Sequence, residues 1–300
     1  MNVKELVAQA TAQLTEAGVS FGHGTTNAAD EAAWLVLHAL GLPLDTSLSD
    51  EDLESNRPLA PEEYAKVATL LGARISMRKP AAYLTREAWL QGVPFYVDER
   101  VIVPRSLIAE LLVDGSIDYW LKESTHHVLD LCTGNGSLGI LAAMVYPDVE
   151  VTGADISADA LAVARINVDK HQLQNRMTLL ESDGLKAIPG VFDLVLCNPP
   201  YVNAKSMAAL PAEYLAEPFI ALDGNQAGGS GDGMDFIRTL LAGLPPKLSD
   251  DGVLVLEIGN ERAYFEAAFP GLEVVWLETS AGEDQVLLLT RDALARFQQH

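Results

Sequence analysis

Apolar residues in the first 80 positions recur at intervals of three and four, which is the spacing of amphipathic helices. The first run consists of Val3, Leu6, Val7, Ala10 and Leu14. A second helix is predicted from Asn27, whose side chain can cap the first turn, to Gly41. A third begins at Pro61 and ends before Pro80. This part of the chain is therefore predicted to be a small helical domain.

The helical spacing of apolar residues ends near residue 80. The stretch "AWLQGVPFYVDERVIVP", residues 88–104, is rich in β-branched and aromatic residues and contains a Gly-Val-Pro sequence, which predicts a β-hairpin with a turn there. We expect a helical domain over residues 1–80, a hairpin linker over 81–105 and a second domain over 106–300.

From residue 128 onward, short apolar strands alternate with helical segments. The predicted strands are "HVLDLC", "VEVTGAD", "MTLLES", "FDLVLC", "GVLVLEIG", "LEVVWLE" and "DQVLLLT". Such alternation is typical of βαβ units and a parallel sheet. The last two strands are too close in sequence for a crossover helix, so residues 285–290 should run antiparallel to their neighbours. The sequence predicts a Rossmann-like α/β fold with seven strands, the last of them antiparallel.

Composition narrows the class of protein. The 300 residues are 49% hydrophobic, as in a folded globular protein. No apolar run approaches the roughly 18 residues of a membrane span, and Lys4 and Glu5 interrupt the start of the chain, so we expect a cytoplasmic protein. Cys132 and Cys197 are too few for a disulfide framework, and the histidines lack ligand spacing, so no metal is expected.

The formal net charge of −22 is concentrated in residues 101–300. A surface that binds nucleic acid normally carries a basic footprint, so this charge argues against nucleic acid as the partner. It favours a basic partner protein that is attracted over long range. Acidity can also serve solubility alone.

A glycine-rich turn, "DLCTGNGSLG" at residues 130–139, follows the first strand of the predicted sheet. Its three glycines fit the pattern GxGxxG, and Asp155 ends the next strand. Glycines let the backbone pass close to a ligand, and a carboxylate at that strand end can accept hydrogen bonds from both ribose hydroxyls. The pattern predicts a site for an adenosyl cofactor.

Two further acids bear on the identity of that cofactor. Asp130 lies at the end of the first strand, where it would repel a pyrophosphate. S-adenosyl-L-methionine, with its amino group and sulfonium, therefore fits better than NAD. Asp183 follows the third strand and can accept a hydrogen bond from the adenine amine, although a turn or helix cap explains it equally well.

The fourth strand ends in "NPPY", residues 198–201. Pro199 and Pro200 have no backbone N–H, so the local backbone offers only carbonyl acceptors, and the Asn198 amide adds another. Adjacent acceptors suit a planar –NH2 group, and Tyr201 offers a flat ring beside it. Because ligands bind beyond the carboxyl ends of parallel strands, "NPPY" should lie beside the glycine-rich turn.

These motifs resemble those of the HemK/PrmB family of protein-(glutamine) methyltransferases, a class I S-adenosylmethionine-dependent group. The segments "PAAYLTREAWLQGVPFYVDERVIVPRS" at 80–106 and "PAEYLAEPFIALDG" at 211–224 are similar to those flanking the motif in that family. Residues 21–45 resemble the helical domain of the PrmB branch, which modifies a glutamine of ribosomal protein L-three. The release-factor branch usually has Arg-Pro where this chain has Arg105 and Ser106. The resemblance covers nearly all of residues 20–290.

The resemblance implies roles for particular residues. The catalytic and glutamine-binding residues would be Asn198, Pro199, Pro200 and Tyr201. The cofactor-binding residues would be Asp130, Cys132, Thr133, Gly134, Asn135, Gly136, Asp155, Ile156, Asp183, Gly184 and Asn198. Gly184 stands where relatives often have an aromatic residue beside the adenine, and the glycine-rich loop at 223–233 is longer than usual.

The sequence and the resemblance thus predict methyl transfer from S-adenosyl-L-methionine to the side-chain nitrogen of a protein glutamine, and they favour the basic large-subunit ribosomal protein L-three as the substrate. Four alternatives stay open. They are a release-factor glutamine methyltransferase, an amino-directed DNA or RNA methyltransferase using the same motif, an NAD-dependent oxidoreductase, and a ribosome-assembly binding module without catalysis.

Overall fold

The computed structural model describes residues 1–49, 51–226 and 228–299. Ala227, in the glycine-rich loop, and His300 lie outside the described residues. The chain begins with helices, namely α1 (Val3–Glu16), α2 (Ala28–Leu40), α3 (Leu53–Asn56), α4 (Pro61–Met77) and α5 (Ala81–Thr85). The three predicted helices are α1, α2 and α4, and the two short ones were not predicted.

Capping fixes where the long helices begin and end. The Asn27 side chain accepts hydrogen bonds from the backbone N–H groups of Ala29 and Asp30 at the start of α2. Gly41 ends the helix with φ 68°, a left-handed conformation that glycine adopts without steric cost. The apolar faces of α1, α2 and α4 pack together around Leu14, Leu35 and Leu71.

The predicted hairpin is present as β1 (Glu87–Leu90) and β2 (Val93–Tyr96), paired antiparallel. Its turn lies at Gln91 and Gly92, which both have positive φ (50° and 74°), one residue before the predicted Gly-Val-Pro turn. Positive φ at both central residues matches the twist of hairpin strands, and Pro94 instead lies within β2. Residues beyond Tyr96, such as Val101 and Val103, pack as irregular chain into the core of the helical region.

The remainder forms a seven-stranded sheet. Its strands are β3 (His127–Leu131), β4 (Glu150–Asp155), β5 (Met177–Glu181), β6 (Phe192–Cys197), β7 (Leu248–Glu257), β8 (Val275–Thr279) and β9 (Gly282–Thr290). Their spatial order is β5-β4-β3-β6-β7-β9-β8. β9 runs antiparallel to both β7 and β8, which confirms the prediction for the last strand.

Helices cover both faces of the sheet. They are α6 (Ile108–Val113), α7 (Ser137–Val145), α8 (Ala158–Lys170), α9 (Ala204–Met207), α10 (Asp235–Gly243), α11 (Arg262–Ala268) and α12 (Arg291–Phe297). One apolar core contains Leu141 of α7, and another contains Leu240 of α10. Burial on both faces explains why the central strands β3 and β6 are mostly apolar, whereas the outer strands β5 and β8 have exposed positions.

The order of the strands reverses at β3, which pairs with β4 on one side and with β6 on the other. In open α/β sheets a ligand binds beyond the carboxyl ends of the strands at such a point. The glycine-rich turn after β3 and "NPPY" after β6 are therefore neighbours. Among the described residues, no helix combines the length and apolar character that a bilayer crossing requires.

Candidate active site

The glycine-rich turn after β3 is held from below by Asp130. This buried carboxylate accepts hydrogen bonds from the Thr133 hydroxyl (2.5 Å) and from the backbone N–H of Gly139 (2.9 Å). Burial raises the pKa of Asp130 to about 7. Gly139 is required for this packing, since a Cβ there would lie 2.7 Å from Met177 Cε and 3.0 Å from Asp130 Oδ2. Asp130 thus supports the turn from within.

The turn itself has left-handed backbone at three positions, Cys132 (φ 60°), Gly134 (φ 55°) and Gly136 (φ 84°). Asp155, at the end of β4, accepts from the backbone N–H of Gly134 and of Ser157, both at 2.9 Å. Burial raises the pKa of Asp155 despite these hydrogen bonds. The carboxylate is therefore fixed between the turn and the adjacent cavity.

A cavity of about 280 Å³ lies over the carboxyl ends of β3 to β6. Of the predicted cofactor residues, it is lined by Cys132, Gly134, Asp155, Ile156, Asp183, Gly184 and Asn198. Asp130, Thr133, Asn135 and Gly136 are not in its lining, and they belong instead to the packed turn below. The predicted cofactor residues therefore form two groups. One group lines the cavity, and the other packs beneath the glycine-rich turn that borders the cavity.

At the far end of this cavity, the Asp183 side chain is exposed and forms an ion pair with Lys186 (2.5 Å). Gly184 has φ 56°, and a Cβ there would lie 3.7 Å from Cε2 of Phe236. Phe236, from α10, also lines the cavity. An aromatic ring is therefore present beside Gly184, supplied by a residue 52 positions later in the chain that the sequence reasoning missed.

"NPPY" separates this cavity from a second one of about 490 Å³. The second cavity is lined by Pro199 and Tyr201, and Pro200 lines the first. Asn198 lines both cavities. Ile102 and Ala221 also line both, so the two cavities adjoin at these three residues, and Asn198 is the one that the sequence predicted.

Tyr201 packs tightly beneath the second cavity. A Cβ at Gly259 would lie 2.6 Å from Tyr201 Cε2, so only glycine leaves room for the ring. The Tyr201 hydroxyl lies 3.4 Å from Glu257 Oε1. Glu257 Oε2 accepts from the Ser106 hydroxyl (2.5 Å) and the backbone N–H of Leu107 (2.9 Å), and burial raises the pKa of Glu257. These contacts fix the tyrosine ring in one position.

Arg105 lines the second cavity and forms an ion pair with the buried Glu217. Arg105 donates to Glu217 through Nη1 (2.6 Å) and Nη2 (2.8 Å), and Glu217 also accepts from the backbone N–H of Val103 (2.9 Å). His23, from the segment between α1 and α2, places Nε2 3.5 Å from Glu217. Although burial raises the pKa of Glu217, Arg105 and His23 lower it to about 2.

Arg105 and Glu257 line the second cavity and Glu217 holds Arg105, but the sequence did not predict a role for any of the three. They lie in separate segments, and the Arg105–Glu217 contact joins residues 112 positions apart. The only signal was that Glu217 and Arg105 fall inside the two flanking segments that resemble the HemK/PrmB family.

A family model described as "Methyltransferase small domain" matches residues 114–220, and one described as "PrmC N-terminal domain" matches residues 5–85. Among solved structures, the hMettl16 catalytic domain in complex with the MAT2A 3'UTR hairpin 6 superposes with a TM-score of 0.51 at 13% identity. It covers 79% of this chain and 84% of that chain. At this identity the likeness concerns the fold alone, and it agrees with the predicted class I methyltransferase fold.

Curated relatives are much more similar. A ribosomal protein uL3 glutamine methyltransferase of Bordetella pertussis is 50% identical over 295 residues, which are 97% of this chain and 96% of the relative. One of Burkholderia pseudomallei, with the same description, is 51% identical over 296 residues, 96% of this chain and 94% of the relative. Identity at this level over nearly the whole length leaves no large segment unmatched. The chain belongs to the family of ribosomal protein uL3 glutamine methyltransferases.

Proposed function

We propose that the protein transfers a methyl group from S-adenosyl-L-methionine to the side-chain amide nitrogen of a glutamine in ribosomal protein uL3. The observation that carries this proposal is the position of Asn198, which lines both the cavity beside the glycine-rich turn and the cavity beside Tyr201. A residue that orients the substrate glutamine toward the cofactor must lie where the cofactor cavity and the substrate cavity adjoin. Family membership supports the same activity.

The residues around the first cavity fit S-adenosyl-L-methionine. Asp155 presents a half-buried carboxylate for the ribose hydroxyls, and Phe236 presents a ring beside Gly184 for the adenine. Cys132 and Gly134 bring backbone close to the ligand. When bound, the cofactor supplies an electrophilic methyl group on its sulfonium.

The second cavity would hold the glutamine side chain. Asn198 Oδ1 and the Pro199 carbonyl would accept the two amide hydrogens, since neither Pro199 nor Pro200 has a competing N–H. Holding the hydrogens in this way orients the nitrogen lone pair toward the first cavity. The contribution of the protein is then alignment and electrostatic stabilisation, which can supply a large part of the rate enhancement.

The nitrogen loses its proton after it has gained the methyl group, so a strong base is not needed beforehand. The nearest carboxylate to Tyr201, Glu257, is already engaged by Ser106 and Leu107. The role of Glu257 is therefore to hold the Tyr201 ring in place. The proton of the methylated nitrogen is released to solvent.

The wider context follows from charge and domain organisation. An acidic chain of net charge −22 suits a basic ribosomal protein, and such a substrate places the enzyme in the cytoplasm. We assign recognition of the substrate protein as a whole to the helical domain over residues 1–80 and the hairpin linker over 81–105, and methyl transfer, with the binding of the target glutamine, to residues 106–300. No direct recognition of nucleic acid is part of this assignment.

The experiment incubates purified enzyme with labelled S-adenosyl-L-methionine and uL3 that carries either glutamine or alanine at the target position. Label should enter only the glutamine form, and Asn198→Ala should abolish labelling while keeping the unfolding midpoint of the enzyme. Equal labelling of both substrates would contradict the proposal. A gel shift with RNA at low salt separates it from an RNA methyltransferase.

A further inference from the structure

A short segment of chain contributes lining residues to both cavities. It consists of two 3-10 turns, Tyr214–Ala216 and Phe219–Ala221, and Ala221 lines both cavities. Three large apolar side chains on this segment are exposed: Leu215 by 62%, Phe219 by 65% and Ile220 by 55%. We call Leu215, Phe219 and Ile220 the apolar ridge.

Ion pairs on the inner side of the segment hold the apolar ridge in place. Glu213 is fully buried and pairs with Arg74 (3.2 Å) and Arg78 (2.7 Å), both from the α4 region. Glu217 is buried against Arg105. Because buried ion pairs fix this segment on its inner side, the exposed apolar side chains are not what holds it in place. Neighbouring exposed apolar side chains on a fixed segment beside a cavity are typical of an interaction surface.

The turn between β8 and β9 also reaches the second cavity, which Ala281 and Gln285 line. Three exposed carboxylates accompany this turn, at Glu278, Glu283 and Asp284. Within the described part of the chain, none of the three forms a salt bridge with a lysine or arginine. We call Glu278, Glu283 and Asp284 the acidic turn.

We propose that the apolar ridge and the acidic turn together form the docking surface for the segment of uL3 that carries the target glutamine. This inference rests on the proposed function and adds how the substrate is held. The substrate segment would place apolar side chains on the ridge and lysine or arginine side chains on the acidic turn.

The short reach of a glutamine makes such contacts unavoidable. Its amide is only three carbons from the backbone, so the substrate backbone must come to the mouth of the second cavity before the amide can reach Asn198. Extended chain advances about 3.3 Å per residue, so the residues on either side of the glutamine lie over the rim. The second cavity is lined by Tyr214 and Ala221, which flank the ridge in sequence, and by Ala281 and Gln285 beside the acidic turn. Ile220 of the ridge lines the first cavity.

The charge of the turn matches the expected partner. A ribosomal protein neutralises RNA phosphates with lysine and arginine, so its exposed segments are rich in both. Unpaired carboxylates at the mouth steer such a segment toward the cavity and oppose an acidic one. An apolar contact with the ridge at the other end of the bound uL3 segment then determines in which of two orientations the segment lies across the cavity.

The test measures methylation of uL3 by two sets of variants, with S-adenosyl-L-methionine affinity measured separately by calorimetry. Leu215→Ser with Phe219→Ser should raise the KM for uL3 by about tenfold or more, with kcat changed less than about threefold, because a few large side chains carry most of the binding energy of an interface. Glu283→Gln with Asp284→Asn should raise KM by about threefold at low salt and reduce its salt dependence. Tyr119→Ser is the matched control, since Tyr119 is 87% exposed and lines neither cavity.

Three outcomes would contradict the proposed docking surface. Wild-type KM in either set of variants would overturn the two-sided surface, as would an equal rise in KM for Tyr119→Ser. A loss of cofactor affinity with unchanged KM for uL3 would assign the ridge to the cofactor cavity instead. Failure of the proposed function is distinguishable, because the wild-type enzyme would then leave uL3 unlabelled.

Discussion

Replacing Glu217 with glutamine tests the buried ion pair that links the helical domain to the active site. The substitution keeps the size of the side chain and an acceptor for the Val103 N–H, but it removes the negative charge that faces Arg105 and His23. Arg105, whose side chain is 26% exposed, would then lose its anionic partner.

The expected loss of stability follows from the pKa of Glu217. Arg105 and His23 overcome the effect of burial and lower this pKa from 4.5 to about 2. One pKa unit corresponds to about 1.4 kcal/mol, so the charge contributes about 3 kcal/mol at pH 7. Loss of one partner of a buried pair typically costs a similar amount, about 3–5 kcal/mol. Because the folded-state pKa is below the unfolded one, this stabilisation is present above pH 4.5 and is lost as pH falls toward 2.

Urea unfolding followed by tryptophan fluorescence measures this difference directly. Glu217→Gln should be less stable than wild type by about 3 kcal/mol at pH 7 and by about 2 kcal/mol at pH 3.5. Glu283→Gln, at an exposed position, serves as the control and should stay within about 0.5 kcal/mol. A deficit for Glu217→Gln below about 1 kcal/mol, or one that does not change with pH, would refute the reasoning.

Other substitutions test the two cavities. Asp155→Ala should raise the Kd for S-adenosyl-L-methionine by about tenfold or more in calorimetry, because a charged acceptor for the ribose is lost, and an unchanged Kd would speak against that role. Gly259→Ala would place a Cβ 2.6 Å from Tyr201 Cε2, so kcat/KM for uL3 should fall by about tenfold or more while cofactor Kd stays constant; full activity would show that the ring position is unimportant. Tyr201→Phe should keep kcat within about threefold, because the hydroxyl lies a long 3.4 Å from Glu257, whereas Tyr201→Ala should lose more than about tenfold. Similar losses for both would place the hydroxyl in the chemistry.

Periodicity predicted the long elements because burial repeats along them. The apolar face of α1 recurs every three or four residues, and apolar residues predominate in β6 and in the second half of β7, where nearly every position is buried. The helices α3 and α5 are only four and five residues long, so they contain too few repeats for a period to appear. The hairpin turn was placed one residue late because Gly92 can serve several turn types, and only the backbone conformation of Gln91 decides among them.

The sequence could predict the site residues that lie at the carboxyl end of a strand. Asn198 and Asp155 each end a strand, and the rule that ligands bind at those ends places them beside the same cavity. The position of Asp130 beneath the turn depends on packing against Gly139, which no local pattern encodes. Arg105, Glu217 and Phe236 reach the site from separate segments, and their contacts exist only once the chain has folded.

The most direct measurement of the central claim is the intact mass and fragmentation of uL3 from cells with and without this gene. With the gene, uL3 should be heavier by one methyl group, and fragmentation should place that group on the side chain of a single glutamine. Reintroduction of the wild-type gene should restore the methyl group, and the gene carrying Asn198→Ala should not. Identical uL3 masses in both kinds of cell, or a methyl group on another residue type, would contradict the account.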